Sequence, residues 1–222
     1  MEKLITLALI LSLVIFLFGF LLGNYIASER IEKFKESQEM MLYNIIGLDV
    51  REKMADDACN ISEEDLWKEK VELGRMLTAL EKRKGKNNKE VLRTKEIYEI
   101  IEIKLIMFLE EMKKKCGKDF ITILFFYSNS PEFLSASEDQ GLILSTITYQ
   151  YKKEKNKDIY VFAFSLESQN PASRFLRTKY NISRAPSLVI EGMLFEGFQN
   201  KQAIIDTIEN IEKENIEKEK KE

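Results

Sequence analysis

Residues 120–127 read FITILFFY, an almost unbroken apolar run rich in aromatic and β-branched side chains. Such a run is expected of a strand covered on both faces. Downstream, Ser130-Pro131-Glu132 predicts a helix start, with Ser130 as the capping residue and proline at the first helical position. Leu142, Leu144, Ile147 and Tyr151 continue that helix as its apolar stripe. A second strand, Ile159-Tyr-Val-Phe-Ala-Phe164, follows a basic turn, and Asn170-Pro171 opens another helix to about Tyr180. Pro186-Ser-Leu-Val-Ile190, the turn Glu191-Gly192 and Met193-Leu-Phe-Glu196 read as a hairpin, with a final helix from about Lys201. The order is therefore βαβα followed by ββα. It implies a parallel βαβ unit joined to an antiparallel hairpin in one sheet.

Upstream of the first strand the periodicity is helical. Ser62-Glu-Glu-Asp65 reads as an N-cap with early acids, Leu66, Leu73, Leu77 and Leu80 form a stripe, and Lys82-Arg-Lys84 gives a basic last turn before Gly85-Lys-Asn-Asn88. A further helix is expected over residues 89–115. Tyr98, Ile101, Leu105, Phe108 and Met112 make one face of it, and Ile97, Ile100 and Met107 a second. One of these faces is expected to pack on the hairpin partner and the other on the domain that follows.

The N-terminus is of another kind. Leu4 to Leu22 carries no charge, and its only polar residues are Thr6 and Ser12. At about 1.5 Å per residue this segment matches a hydrocarbon core of roughly 30 Å. A cleaved signal peptide would have a shorter apolar region, so the expectation is a retained single-pass anchor over residues 1–25. Gly19, Gly23 and Ala27 stand four apart, a stripe that permits a homodimer through close helix approach. Beyond it, Ile31, Phe34, Met41, Leu42 and Ile45 give an amphipathic helix. Gly47-Leu48-Asp49 is expected to end that helix, with a loop running to about residue 61.

Composition removes several function classes. The chain has no histidine, two cysteines, 34 basic and 37 acidic residues. Imidazole-based acid–base or nucleophilic catalysis and the common zinc sites are excluded, no cofactor is expected, and the charge balance does not point to nucleic acid. Cys59 and Cys116 lie about equally far in sequence from the turn near Lys86-Asn87. An antiparallel hairpin brings such residues to the same end. They read either as a structural disulfide of an oxidising compartment or as two unrelated thiols flanking helices.

YNISRAPSLVIEGMLFEGF (180–198) resembles the thioredoxin segment that holds the cis-proline and the hairpin after it, and FFYSNSPEF (125–133) lies where that family has its first strand and active-site turn. The resemblance covers about residues 118–212. It implies an α/β thioredoxin-like domain (117–212) preceded by the anchor and by an amphipathic helix plus helical hairpin (26–116), with a charged tail at 213–222. It also implies a cis Pro186 in a peptide groove made with Ala185 and Ser187. The family's Cys-x-x-Cys is missing. Depending on register, Ser130 and Phe133, or Leu134 and Ser137, occupy the positions of the thiols. A serine hydroxyl does not exchange with a disulfide. The expectation is accordingly a membrane-anchored, redox-inactive polypeptide-binding module. The alternatives are an assembly subunit of a membrane complex and, last, an oxidoreductase using Cys59 or Cys116. A count of basic residues beside the anchor favours a cytoplasmic soluble part by two or three charges. The cysteines, and membrane-tethered relatives of the resembling fold, favour the extracytoplasmic side.

Overall fold

The computed structural model describes residues 2–54, 59 and 62–219. It forms two compact units, Met1–Asn44 and Ile45–Glu222. The first unit belongs to helix α1, Glu2–Met54. Within it Ile5–Ile26 is apolar and faces solvent along its whole length. At roughly 33 Å it is long enough to cross a bilayer, a property that signal sequences near an N-terminus share. Gly19 and Gly23 face open space. The side chains of Ala27, Phe34, Met41 and Ile45 lie outside the described residues. Gly47-Leu48-Asp49 does not end α1, contrary to the sequence expectation. One interior glycine costs a helix only about 1 kcal/mol, and no proline follows to remove a backbone bond.

The second unit contains α2 (Glu63–Lys84), α3 (Lys89–Cys116), β1 (Ile121–Tyr127), α4 (Leu134–Lys155), β2 (Ile159–Ser165), α5 (Pro171–Lys179), β3 (Ser187–Ile190), β4 (Met193–Glu196) and α6 (Lys201–Glu219). The sheet order is β2-β1-β3-β4. β1 runs parallel to β2 and antiparallel to β3, and β3 pairs antiparallel with β4. Ala185–Pro186 is a cis peptide bond.

Strand alternation sends the FITILFFY run into two cores. Phe120, Leu124 and Phe126 join Tyr160, Phe162, Phe164 and Val189 beneath α3 and α5. Ile121, Ile123 and Phe125 join Ile159, Leu188 and Ile190 beneath α4 and α6. A sheet covered on both faces explains why the run has no polar alternation. The first core crosses the boundary expected at residue 116. Leu105, Ile106, Leu109 and Met112 of α3 lie in it, so the helical hairpin and the α/β part share one core.

Two details of the expected helices differ. On α3, Ile100 is 41% and Met107 58% exposed, so the second apolar face meets solvent and not the sheet. On α4, Leu142 is exposed, while Leu144, Ile147 and Tyr151 are buried as the stripe requires. The cap of α5 is as the sequence indicates. The Asn170 side chain accepts a bond from the Ala172 N–H at 2.9 Å, and Pro171 stands at the first helical position. The same side chain donates to the Glu96 carbonyl at 2.9 Å, tying α5 to α3.

Cys59 and Cys116 form a disulfide with Cα atoms 5.5 Å apart, at the end of α3 remote from the Gly85–Asn88 turn. It closes a loop of 57 residues around α2 and α3. Chain-entropy arithmetic for a loop of that length gives about 4 kcal/mol of stabilisation. Urea unfolding of the full chain in detergent should lose about that much stability when dithiothreitol is added. Equal curves with and without reductant would show that the bridge does not constrain the unfolded chain.

Candidate functional site

β2 is an edge strand, and the backbone of its odd-numbered residues points away from β1. Charged side chains of the hairpin occupy that edge. The Lys70 ammonium of α2 donates to the Val161 carbonyl at 2.9 Å and pairs with Glu102 at 2.8 Å. Glu102 accepts from the Ala163 N–H at 3.2 Å, and one turn earlier on α3 Glu99 accepts from the Ser165 N–H at 3.1 Å. Glu99 also accepts hydrogen bonds from the hydroxyls of Ser168 and Ser173. Trp67 completes the cover, its ring 4.7 Å from Tyr160 and 4.5 Å from the Lys70 nitrogen. Both carboxylates are almost wholly buried, at 2% and 0% exposure. Desolvation pushes both pKa values up. The hydroxyl and N–H donors at Glu99, and Lys70 at Glu102, oppose it without cancelling it.

Beside this edge the hairpin and α4 bound a cleft of about 670 Å³. Its floor is Phe125, Tyr127 and Ala163, its walls include Leu77, Tyr98 and Lys95, and Leu134 and Ser137 close it at the first turn of α4. The lining is mostly apolar. A Cβ at Gly74 would stand 3.0 Å from the Tyr98 hydroxyl, so this glycine lets α2 approach the tyrosine. Lys95 pairs with Glu81 and lies 5.7 Å from the Tyr127 ring centre. Burial raises the pKa of both Tyr98 and Tyr127, which keeps the phenols neutral. Arg75, Lys82 and Lys86 also line the cleft.

The positions expected to replace the thiols cluster at the end of β1. Ser130 does not cap α4 with its side chain. Its hydroxyl lies 2.9 Å from that of Ser128, its carbonyl accepts from the N–H groups of Phe133 and Leu134, and residues 131–133 form a turn before the helix. Pro131 is therefore in that turn and not at the first helical position, and Phe133 takes the cap position without a side-chain bond. Ser137 is buried and accepts from the Ser128 N–H at 3.2 Å. Ser128 in turn donates to Glu167, which also receives the Ser165 hydroxyl at 2.7 Å. Partial burial would raise the pKa of Glu167, but these hydroxyl donors outweigh it and hold the carboxyl below its ordinary value. A carboxyl held below its ordinary value is a weaker general base for the serines that donate to it. Across the sheet, Phe126 is registered with Ser187, which brings the 184–187 loop to this same end. Ala185, Pro186 and Ser187 are buried, however, and only Arg184 of the loop is exposed. Among the described residues no cluster of three or more His, Cys, Asp or Glu is placed to hold a metal.

No family model and no curated protein matches the chain. Among solved structures, one described as "Structure of a malarial protein" is similar at 15% identity with a TM-score of 0.33, over 41% of this chain and 97% of that one.

Serine 128, Glu167 and the Lys70–Glu99–Glu102 group were not singled out in the sequence. Glu99 and Glu102 lie three apart on the inward side of α3, between Lys95, Tyr98 and Leu105, and that interruption of an apolar face was the available signal. The folded pKa of Glu99 is raised above the ordinary value of 4.5. The native state therefore binds a proton that the unfolded chain has already lost, and stability falls as pH rises from about 4.5 through the folded pKa. Glu99→Gln should remove this slope, so the stability advantage of the natural protein over the variant is largest in acid and shrinks toward neutral pH. A difference that stays constant across urea titrations at acidic and neutral pH would exclude such a titration.

Proposed function

We propose that this chain is a membrane-anchored, thioredoxin-like module without dithiol chemistry, and that it binds segments of other polypeptides. The observation that carries the reading is the mostly apolar cleft of about 670 Å³ against the first turn of α4. Its size falls within the range of ligand sites. It also lies where the resembling family performs its chemistry. The sheet order supports the family reading. The cysteines support the loss of catalysis. They are bonded to each other, and Cys116 stands roughly 21 Å along α3 from Glu102 and the cleft.

Burial of Ala185 to Ser187 moves the binding surface away from the loop favoured by the sequence. In this reading the client does not add a strand there. It places apolar side chains between Leu77, Tyr98 and Leu134, at the far side of α4's first turn. The bridged cysteines support an extracytoplasmic soluble part, since such bonds persist in oxidising surroundings.

Extended apolar peptides titrated against the full chain in detergent should bind. Leu134→Arg should weaken them by about tenfold, the equivalent of 1.4 kcal/mol of lost contact. Leu142→Arg on the exposed side of α4 should leave binding unchanged. Equal affinities for the two variants, or no binding to any of them, would reject the cleft.

An assembly role is the second reading, favoured by the exposed Leu92, Ile100 and Met107 along α3. It requires self-association. Light scattering on the detergent-solubilised chain should then show an oligomer that Met107→Glu dissociates. A strict monomer would remove this reading.

A further inference from the structure

Asn181-Ile182-Ser183 has the residue pattern read by oligosaccharyl transferases, with a middle residue other than proline. In the fold it follows α5 directly. Asn181 is exposed with φ +53°, a conformation that asparagine tolerates better than most residues. The backbone around it is pinned. The Asn181 N–H donates to the Thr178 carbonyl at 3.2 Å, and the Ile182 N–H to that of Arg177 at 2.9 Å. Ser183 donates to Glu196 through its N–H at 3.2 Å and its hydroxyl at 2.6 Å.

The asparagine amide itself takes part in none of these bonds. Asn88, Asn170 and Asn200 each spend their side-chain oxygen on a backbone N–H at a helix start, whereas the Asn181 side chain has no partner among the described residues. The left-handed φ accounts for asparagine at 181, and Glu196 accounts for serine at 183. Neither uses Nδ2. Asn181 lines a shallow depression of about 530 Å³ together with Arg174, Thr178 and Ser183.

We infer that Asn181 is an N-glycosylation site. Nδ2 would form a bond to the anomeric carbon of a lipid-pyrophosphate-linked oligosaccharide as the bond from that carbon to the pyrophosphate oxygen breaks. The amide nitrogen gives up one proton to a basic group of the transferase, and the lipid pyrophosphate leaves with the electron pair of the broken bond. Because the Ser183 hydroxyl is bonded to Glu196 in the folded chain, the transferase reads the triplet before the loop closes against β4. The exposed Asn181 then lets the glycan remain on the native surface. The second triplet, Asn60-Ile61-Ser62, has its asparagine outside the described residues and carries no part of the inference.

The inference rests on the extracytoplasmic placement proposed above, so both are read on one sample. The full chain is isolated from sealed membranes of its native host, its protease accessibility is scored, and its peptides are mapped by mass without reduction. A sugar mass on the peptide containing Asn181 is expected, removable by peptide-N-glycosidase with aspartate left behind. It should be absent in Asn181→Gln and Ser183→Ala and retained in Ser183→Thr. A bare Asn181 in protein whose soluble part is outside and whose Cys59–Cys116 bridge is formed would overturn the site alone. A bare Asn181 in protein with free thiols on the protected side would overturn the site and the placement together.

Discussion

The second unit depends on how the outer edge of β2 is closed. An exposed strand edge is a template for pairing with any other chain. Here the edge is taken up by ions of the hairpin, with the Lys70 ammonium on a carbonyl and the Glu102 and Glu99 carboxylates on two N–H groups. Placing charges in such a dry position is costly. Removing one member of a buried pair strands the other and typically costs about 3–5 kcal/mol. The hairpin is thus bound to the sheet by a set of interactions that work only when all its members are present.

From that closure follows the cleft. The hairpin wraps the β2 edge and meets the opposite face of the sheet near α4, so a gap remains over Phe125 and Tyr127 where two differently built layers fail to interlock. Gly74 narrows it and the two neutral phenols give it polar points. The serines at the end of β1 are directed elsewhere. Ser128 bonds to Ser130, Ser137 and Glu167, forming a fixed polar corner.

Much of the architecture was legible because apolar runs report burial directly. FITILFFY and IYVFAF could hardly be anything but covered strands, and Asn170-Pro171 announces the start of α5 in two residues. What was hidden depended on contacts distant in sequence. Glu99 and Glu102 resemble solvated helix residues until strand atoms 66 and 61 positions away are brought against them. For the same reason Ile100 and Met107, apolar by type, were assigned inward although the acids had taken that place. Ser130 was misplaced by a local competition, since its hydroxyl goes to Ser128 and a turn intervenes before α4. Gly47 misled because a glycine weakens a helix without necessarily ending it. The groove residues 185–187 share the end of the sheet with the α4 turn, yet burial alone decides whether they are available, and burial is not written in three residues.

The bridge between Cys59 and Cys116 also alters the mechanical path through the molecule. The chain enters the hairpin at one of these residues and leaves it at the other, and their Cα atoms are 5.5 Å apart. Tension applied along α1 therefore passes to the start of β1 through the sulfur atoms, and α2 and α3 hang beside the loaded path as a closed ring. A force that would otherwise peel the hairpin from the sheet edge leaves it slack, and a cut in the Gly85–Asn88 turn divides the backbone without separating α1 from the strands that follow the hairpin.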